Sequence, residues 1–295
     1  MLKLQGSYAA VITPFKNGKV DEQALRKIIR FHLNSKTSGI LACGSTGEAA
    51  ALSQEEYLEV IGITADEAKG KIPVLAGTGT NSTWKSVEMI KKAEKTGADG
   101  LLAIVPYYNK PTQDGMFIHF REAAESTRLP VILYNIPGRT GVNMMPQTVL
   151  KLRQACKNII GIKEASGNLD QVSEIINILD KDFSVMSGDD SLTLPMMSVG
   201  ARGVISVIAN IMPDETAKMT DLFFRCRIKD AALMHRKLFP VIKTLFIETN
   251  PIPVKYAMHL MGFCEPEPRL PLTVLSKKSR QILKQVMLKA GIKLQ

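Results

Sequence analysis

A single lysine interrupts an otherwise apolar run of the chain. Lys163 lies in the segment IIGIKEA (159–165). If its side chain faces the protein interior, the cost of burying a charge lowers the pKa of the amine. A neutral amine attacks carbonyl carbon and can form a Schiff base. The alternative is a structural lysine that pairs with Glu164 or emerges at the end of the run.

Two segments rich in glycine and hydroxyl groups could bind an anion. GSTGE (44–48) and GTGT (77–80) each follow an apolar run and precede a helical pattern, so both offer backbone N–H groups at the start of a helix. Neither has the lysine of a nucleotide-binding loop. The adjacent hydroxyls of Ser45 and Thr46 exceed what a turn requires and predict a cradle for a carboxylate or phosphate. GTGT fits a simple turn equally well.

Tyrosines and an arginine follow two further apolar runs, in VPYYN (105–109) and YNIPGRTG (134–141). The hydroxyls of Tyr108 and Tyr134 could pass protons along a hydrogen-bonded chain, and Arg139 could bind a carboxylate through two parallel hydrogen bonds. Taken singly, these are core aromatics and a surface arginine. Taken with Lys163 and the Ser45-Thr46 pair, they predict one site.

No metal site is expected. The four histidines (His32, His119, His235 and His259) have no metal-binding spacing, and the four cysteines (Cys43, Cys156, Cys226 and Cys264) lie far apart and are expected to be buried free thiols. Asp189 and Asp190 could hold a hard cation, but a helix N-cap with an acid in the first turn explains them as well.

Eight short apolar runs alternate with segments of helical spacing, which predicts strands separated by helices. Leu25, Ile28, Ile29 and His32 share one such helical face, and Val87, Ile90 and Ala93 share another. The runs are YAAVITPF, GILACG, IPVLAG, GLLAIVP, PVILYN, IIGIKEA, FSVMSG and GVISV, between residues 7 and 207.

Eight units of this kind predict a (β/α)8 TIM barrel of the α/β class, in which chemistry belongs at the carboxyl ends of the strands. A doubly wound open sheet is the alternative, and the absence of GxGxxG after the first run argues against it. Residues from about 213 onward have helical patterns, with a last helix from about 273 to 290. We expect a catalytic barrel over 1–228 and an appended C-terminal helical region over 229–295.

Composition is that of a globular protein, with 45% hydrophobic and 22% charged residues in 295. No apolar run is long enough for a membrane helix, and the first residues lack the apolar core of a signal peptide, so we expect a cytoplasmic protein that binds no membrane. The net charge is +10, and the last twenty residues contain six basic side chains and no acid. Without interleaved aromatics, we interpret this basic terminal helix as a solvated face that binds no nucleic acid.

The chain resembles the pyruvate-dependent class I aldolase family over its full length, and within it the dihydrodipicolinate synthase branch. The wider family shares the GSTGE-type loop, the tyrosine and asparagine of the fifth run and the lysine of the sixth. The branch is indicated by PYYN (106–109), Arg139 in YNIPGRTG, Gly188 in SGDD, GVISV and NPIPVK (250–255).

The resemblance implies a lyase that condenses pyruvate with L-aspartate-4-semialdehyde to 4-hydroxy-tetrahydrodipicolinate, in lysine and diaminopimelate biosynthesis. Lys163 would form the pyruvate imine, so that no external cofactor is needed. Tyr134, Ser45 and Tyr108 would form the proton relay, with Tyr108 serving the neighbouring subunit's site across a tight dimer interface. The assembly would be a homotetramer built from two tight dimers.

The resemblance also implies the residues that bind substrate. Thr46 would hold the pyruvate carboxylate, Arg139 would order the relay and meet the carboxylate of the semialdehyde, and Gly188 and Ile205 would line the pyruvate pocket. Ser45 departs from the threonine often found there, and because a hydroxyl remains we expect a small effect.

One departure concerns regulation. Lys85 stands where members inhibited by lysine carry a carboxylate, and Gln54 and Tyr57 stand where they often carry histidines. Like charge replaces opposite charge, so weak or absent feedback inhibition by lysine is expected.

Two other functions stay open. One is a sibling aldolase, such as N-acetylneuraminate lyase, which would use the same lysine. Arg139 and the Tyr107-Tyr108 pair argue against it. The other, a barrel without activity that binds an anionic partner or nucleic acid through the basic terminal helix, would leave the lysine, tyrosines and hydroxyl loop unexplained.

Overall fold

A closed barrel of eight parallel strands forms the centre of the computed structural model, which describes residues 2–295. Each strand pairs with its neighbour along the chain, and the first strand closes the barrel against the last. The predicted (β/α)8 barrel is therefore confirmed, and the open-sheet alternative is wrong. The barrel strands are β1 (Gly6–Ala10), β2 (Gly39–Ala42), β3 (Val74–Thr78), β4 (Gly100–Ile104), β5 (Val131–Asn135), β6 (Ile159–Glu164), β7 (Ser184–Ser187) and β8 (Gly203–Ser206).

Helices surround the barrel and continue beyond its last strand. In the part of the chain from residue 2 to 295 they are α1 (Glu22–Leu33), α2 (Gln54–Ala68), α3 (Thr83–Ala93), α4 (Gln113–Glu125), α5 (Pro137–Thr140), α6 (Pro146–Ala155), α7 (Leu169–Ile178), α8 (Thr193–Ser198), α9 (Pro213–Phe224), α10 (Ile228–Thr244), α11 (Ile252–Leu260) and α12 (Lys277–Lys289). A two-stranded ribbon (Phe15–Lys16 with Lys19–Val20) precedes α1.

Alternate side chains of the strands fill the inside of the barrel and the space under the helices, as the two-residue period of a strand requires. The inner cluster contains Tyr8, Leu41, Leu102, Ile132 and their neighbours. The outer cluster packs the other strand faces against the helices. The predicted face of α1 is buried throughout, and Asp21 caps that helix by accepting a hydrogen bond from the N–H of Ala24.

The structure corrects three sequence-based boundaries. The first strand ends at Ala10 and not at Phe15, because the N–H of Ile12 turns to Asn210 and Pro14 has no N–H to donate. The last helix begins at Lys277, capped by Ser276, about four residues later than expected. Residues 262–276 are irregular and contain three prolines, so the helical pattern of the C-terminal part is interrupted there.

The C-terminal helices extend the barrel on one side. α10 begins at Ile228 and packs on α8 and α9, and α12 packs on α10 and α11. The division into a barrel over 1–228 and a helical region over 229–295 stays a prediction. Over residues 2–295, none of the helices combines the length and apolar character needed to cross a membrane.

Candidate active site

The predicted site residues lie around one rim of the barrel. Because all eight strands run parallel, their carboxyl ends meet at this rim. Tyr134 on β5, Lys163 on β6 and Met186 on β7 stand side by side in register. Neighbours in register project to the same side of the sheet, so Tyr134 and Lys163 share the inner face.

Lys163 is buried within the barrel mouth. Its side chain is 6% exposed, and Nζ lies 4.5 Å from the centre of the Tyr134 ring. Burial lowers the pKa of Lys163 to about 8, with the positive charge of Arg139 acting in the same direction and Asp190 opposing it. On the order of a tenth of the amine is therefore neutral and nucleophilic at pH 7, far more than for an ordinary lysine.

Glu164 does not pair with Lys163, because successive side chains of a strand point to opposite faces. Its carboxylate accepts hydrogen bonds from Asn135 Nδ2, Gln171 Nε2 and the N–H of Ser166 on the outer side of the sheet. The structural interpretation of Lys163 as the partner of Glu164 is wrong.

Tyr134 supplies a buried hydroxyl beside the amine. Burial raises its pKa to about 12, and the charge of Arg139 and the Ser45 hydroxyl only partly offset this. The phenol is therefore protonated at neutral pH and can donate a hydrogen bond or a proton. The Lys163 amine therefore lies beside a phenol that can donate a proton, and the Ser45 hydroxyl contacts that phenol.

The hydroxyl loop follows β2 and closes on itself, with the N–H of Gly47 donating to the carbonyl of Gly44 over 3.0 Å. Ser45 is half-buried and Thr46 is buried. Thr46 Oγ1 accepts a hydrogen bond from Asn250 Nδ2 at 3.0 Å. No local pattern predicts this contact, since the two residues lie 204 positions apart.

The GTGT segment is a strand-to-helix turn. Thr80 Oγ1 donates to the carbonyl of Ser82, and the N–H of Thr80 donates to Ser86 Oγ at 2.8 Å. Thr78 Oγ1 donates to the carbonyl of Leu102, so both hydroxyls of the segment already have partners, which favours the simpler of its two interpretations.

Arg139 lies on the short helix α5 beyond β5 and is exposed at the rim. Its Nη2 donates to the carbonyl of Asn250 at 3.2 Å. Asn250 therefore links the two groups: its side chain contacts the hydroxyl loop, and its backbone carbonyl contacts Arg139. The exposed guanidinium is free to bind a further carboxylate.

Gly188 and Ile205 lie next to the amine and in the inner cluster. A Cβ added at Gly188 would lie 3.2 Å from Lys163 Cε and 2.7 Å from Ala165 Cβ, so a side chain there would displace the lysine or the loop after β6. Ile205 on β8 is buried and packs in the inner cluster. Gly188 therefore borders the space beside Lys163, whereas the lining role of Ile205 stays a prediction.

Tyr108 does not join this group in the single chain. Its side chain is 87% exposed and its backbone has a positive φ of 74°. Tyr107 is also exposed, at 37%. The expected role of Tyr108 in a neighbouring subunit's site is untested by one chain.

Asp190 is a charged neighbour of Lys163 that the sequence interpretation did not assign. Its Oδ2 accepts hydrogen bonds from the N–H groups of Val207 and Ile208 at 2.9 Å each, and burial raises its pKa. Asp189 caps the turn that follows by accepting from the N–H of Ser191. Within residues 2–295, no group of three or more His, Cys, Asp or Glu side chains could hold a metal ion.

The cysteines correct one further expectation. All four are free, but only Cys43 and Cys156 are buried, whereas Cys264 is half-buried and Cys226 is exposed.

Known proteins of one family match this chain over nearly its whole length. The model of the dihydrodipicolinate synthetase family matches residues 3–290. A curated relative from Syntrophus aciditrophicus (strain SB), named 4-hydroxy-tetrahydrodipicolinate synthase, is 49% identical over 288 residues, which are 98% of this chain and 99% of the relative.

Solved structures agree. Dihydrodipicolinate synthase from Aquifex aeolicus superposes with a TM-score of 0.98 at 47% identity, covering 99% of this chain and 100% of that chain. The chloride-inhibited synthase from Acinetobacter baumannii, complexed with pyruvate, has a TM-score of 0.96 at 41% identity and the same coverage. With the barrel, the buried lysine and the hydroxyl loop in place, the chain belongs to the dihydrodipicolinate synthetase family.

Proposed function

We propose that this chain is a lyase that condenses pyruvate with L-aspartate-4-semialdehyde to give 4-hydroxy-tetrahydrodipicolinate and water, in lysine and diaminopimelate biosynthesis. The observation that carries the proposal is the Lys163 amine, buried at the carboxyl rim with its pKa lowered to about 8. The names of the curated relatives, at 47–49% identity over nearly the whole chain, support the same reaction.

Lys163 begins the reaction as a nucleophile. Its neutral amine attacks the ketone carbon of pyruvate, water leaves, and an imine forms. Loss of a methyl proton gives an enamine, whose carbon attacks the aldehyde carbon of the second substrate. The amino group of that substrate then attacks the imine carbon, which closes the ring and releases Lys163.

These steps move several protons, which Tyr134 and Ser45 carry in the proposed mechanism. Tyr134 lies against the amine, and the Ser45 hydroxyl lies beside Tyr134. Tyr108 completes the relay in the proposal, reaching the site of a neighbouring subunit. The exposure of Tyr108 and Tyr107 supports an interface at this position.

Two groups bind the substrates' carboxylates. Thr46 and the backbone of its loop hold the carboxylate of pyruvate, a small anion that needs one cradle and one nucleophile. Arg139, exposed at the rim, binds the carboxylate of the semialdehyde. Lys163 itself carries the substrate covalently, so the proposed reaction uses no external cofactor.

The proposed assembly is a homotetramer of two tight dimers, and the proposed location is the cytoplasm, where a biosynthetic enzyme of this kind would meet its substrates.

Trapping the imine tests the function. We expect borohydride reduction with pyruvate alone to add a covalent adduct, which peptide mapping places on Lys163. Lys163→Arg should fold normally, form no adduct and lose nearly all turnover, because a guanidinium cannot form the imine. A folded protein without an adduct would contradict the proposal.

The aldehyde partner separates this function from that of a sibling aldolase. We expect pyruvate to be consumed with aspartate semialdehyde and not with N-acetylmannosamine. Consumption with the amino sugar alone would assign the lyase activity of the sibling enzymes.

A further inference from the structure

A buried ion pair lies directly behind the hydroxyl loop and takes no part in the chemistry described above. Glu48 ends the GSTGE segment, and Lys255 lies on α11 in the C-terminal region. Their side chains are each 1% exposed and contact one another through Lys255 Nζ and Glu48 Oε1. Two charges removed from water to this extent require a full set of partners.

Glu48 is held entirely by the C-terminal part of the chain. Its second oxygen, Oε2, accepts a hydrogen bond from the N–H of Arg269 at 2.9 Å. Both carboxylate oxygens of this loop residue are therefore bound by residues more than 200 positions away. Glu48 also has a positive φ of 53°, a backbone conformation that is disfavoured for residues other than glycine. The contacts of its side chain help to stabilise this turn.

Lys255 is equally well surrounded. Its Nζ donates to the carbonyl of Glu267 at 3.1 Å and lies 4.1 Å from the centre of the Phe15 ring. The guanidinium of Arg269 also packs on this ring, at 4.3 Å. The Phe15 ring thus contacts both cations, and cation–π attraction helps to hold Lys255 and Arg269 in place beside Glu48.

The same C-terminal segment reaches the loop a second time. Asn250, five residues before Lys255, donates to Thr46 Oγ1. The loop is consequently held at its middle by Asn250 and at its end by Lys255. On the barrel side, Thr13 Oγ1 donates to the carbonyl of Gly47 at 2.7 Å.

We propose that the Lys255–Glu48 ion pair positions the Ser45-Thr46 hydroxyl loop, so that the C-terminal region of the chain sets the affinity of the site for the pyruvate carboxylate. Both residues are positioning residues, since neither touches the reacting atoms. The inference rests on the function proposed above. Because the loop would bind the carboxylate through directional hydrogen bonds, a displaced loop binds it more weakly.

Steady-state kinetics of a double variant that lacks both charges test the proposal. Glu48→Gln combined with Lys255→Met removes both charges, so that no lone charge stays buried. We expect KM for pyruvate to rise by about tenfold or more while KM for the semialdehyde changes by less than about threefold. A folded double variant whose KM for pyruvate stays within about twofold of the unsubstituted value would overturn the proposal.

A matched control removes another ion pair. Arg153 on α6 pairs with Asp180 at 2.8 Å near the opposite rim, where it also donates to the carbonyl of Ile159. Arg153→Met should leave KM for pyruvate unchanged. An equal rise of KM in this control would show a general loss of stability and would also overturn the proposal.

Hydrogen exchange in the unsubstituted protein decides the matter even where the variants do not fold. We expect pyruvate trapped by borohydride to slow exchange in 43–52 and also in 250–269, because the two segments act as one unit. Protection confined to 43–52 would contradict the proposal. If no adduct forms at all in the unsubstituted protein, the proposed function fails, whereas an adduct without the coupled protection removes this inference alone.

Discussion

The reactivity of Lys163 depends on charges that act against each other. Burial and Arg139 lower the pKa of the amine, whereas Asp190 raises it. The neutral fraction of the amine, and with it the rate of the proposed imine formation, grows as the pH passes the pKa of about 8. We therefore expect kcat/KM for pyruvate to rise with pH on its acid limb and to level off above that value.

Asp190→Asn should shift this acid limb to lower pH, because the substitution removes the charge that favours the protonated amine. An amide oxygen can still accept the hydrogen bonds from Val207 and Ile208. The measurement is kcat/KM for pyruvate against pH. Asp189→Asn is the control, because it removes the adjacent charge and keeps that of Asp190. An acid limb that stays in place or moves to higher pH would contradict this role of Asp190.

Gly188→Ala should impair the site without unfolding the protein. The new methyl group would lie 3.2 Å from Lys163 Cε and 2.7 Å from Ala165 Cβ, so the lysine must move. We expect kcat/KM for pyruvate to fall by about tenfold or more, the equivalent of roughly 1.4 kcal/mol. Gly62→Ala is the control, since a Cβ there meets nothing within 4 Å. Equal activity in the two variants would contradict the argument.

At this scale the sequence could identify reactive groups but not their long-range partners. Lys163 and Ser45-Thr46 are visible because polar side chains interrupt or follow apolar runs. Asp190 gave two local interpretations, and its influence on Lys163 depends on the closed barrel. The Asn250 and Lys255 contacts join residues more than 200 positions apart, which no local pattern predicts.

The elements were predictable where their periodicity is strong. Each of the eight runs overlaps a barrel strand, since strands buried on both faces read as continuous apolar segments. The boundaries failed where a single backbone group decides. Pro14 and the Asn210 contact end β1 early, and the Ser276 cap sets the start of α12.

α1 contains a titratable group that makes this helix sensitive to acid. His32 is fully buried, its Nδ1 lies 3.0 Å from Thr37 Oγ1, and burial lowers its pKa from 6.5 to about 4. In the unfolded chain the ring binds a proton below pH 6.5, whereas in the folded chain it does not until about pH 4. Stability from this residue is complete above pH 6.5 and is lost as the pH falls towards 4.

The loss should amount to roughly 3 kcal/mol over this range, since each unit of pKa shift corresponds to about 1.4 kcal/mol. His32→Met removes this titration and should reduce the slope of the free energy of unfolding between pH 6.5 and 4, leaving the contribution of His119, whose pKa burial also lowers to about 4. Denaturant unfolding at several pH values measures it. The same slope in both proteins would show that His32 does not titrate on unfolding.

The family resemblance places feedback inhibition by lysine at the groove between α2 and α3. The groove has a volume of about 290 Å³, and its lining includes Gln54, Tyr57, Trp84, Lys85 and Glu88. Lys92 Nζ donates to Gln54 Oε1 at 2.6 Å, which adds a second positive charge. Lys85 and Lys92 outweigh the single carboxylate of Glu88 in this lining, so its net positive charge repels the side-chain ammonium group of L-lysine, and a titration with L-lysine should show weak or no inhibition.

Lys85→Glu should increase sensitivity to L-lysine, because it replaces the repelling charge with an attracting one. Lys91→Glu on the same helix makes the same change of charge outside the groove and serves as the control. Inhibition at micromolar lysine in the unsubstituted protein would contradict the prediction, as would equal responses of the two variants.

Tyr108 provides the sharpest test of the whole assembly, because this residue is 87% exposed in the single chain. If it acts in the neighbouring subunit, each site combines Lys163 of one chain with Tyr108 of another. Tyr108→Phe should lower turnover by a factor on the order of 10², and Lys163→Arg should abolish it. Each homodimer then has two defective sites.

Co-expression of the two variants should restore activity. In a mixed dimer, one site joins an intact Lys163 to an intact Tyr108, while the other site has neither. With half of the dimers mixed and one of two sites intact in each, about a quarter of the unsubstituted activity should return. Turnover of the purified mixture against each variant alone measures this. Activity no higher than the average of the two variants would place Tyr108 in its own subunit's site or outside the relay, because a relay contained within one chain gains nothing from a partner.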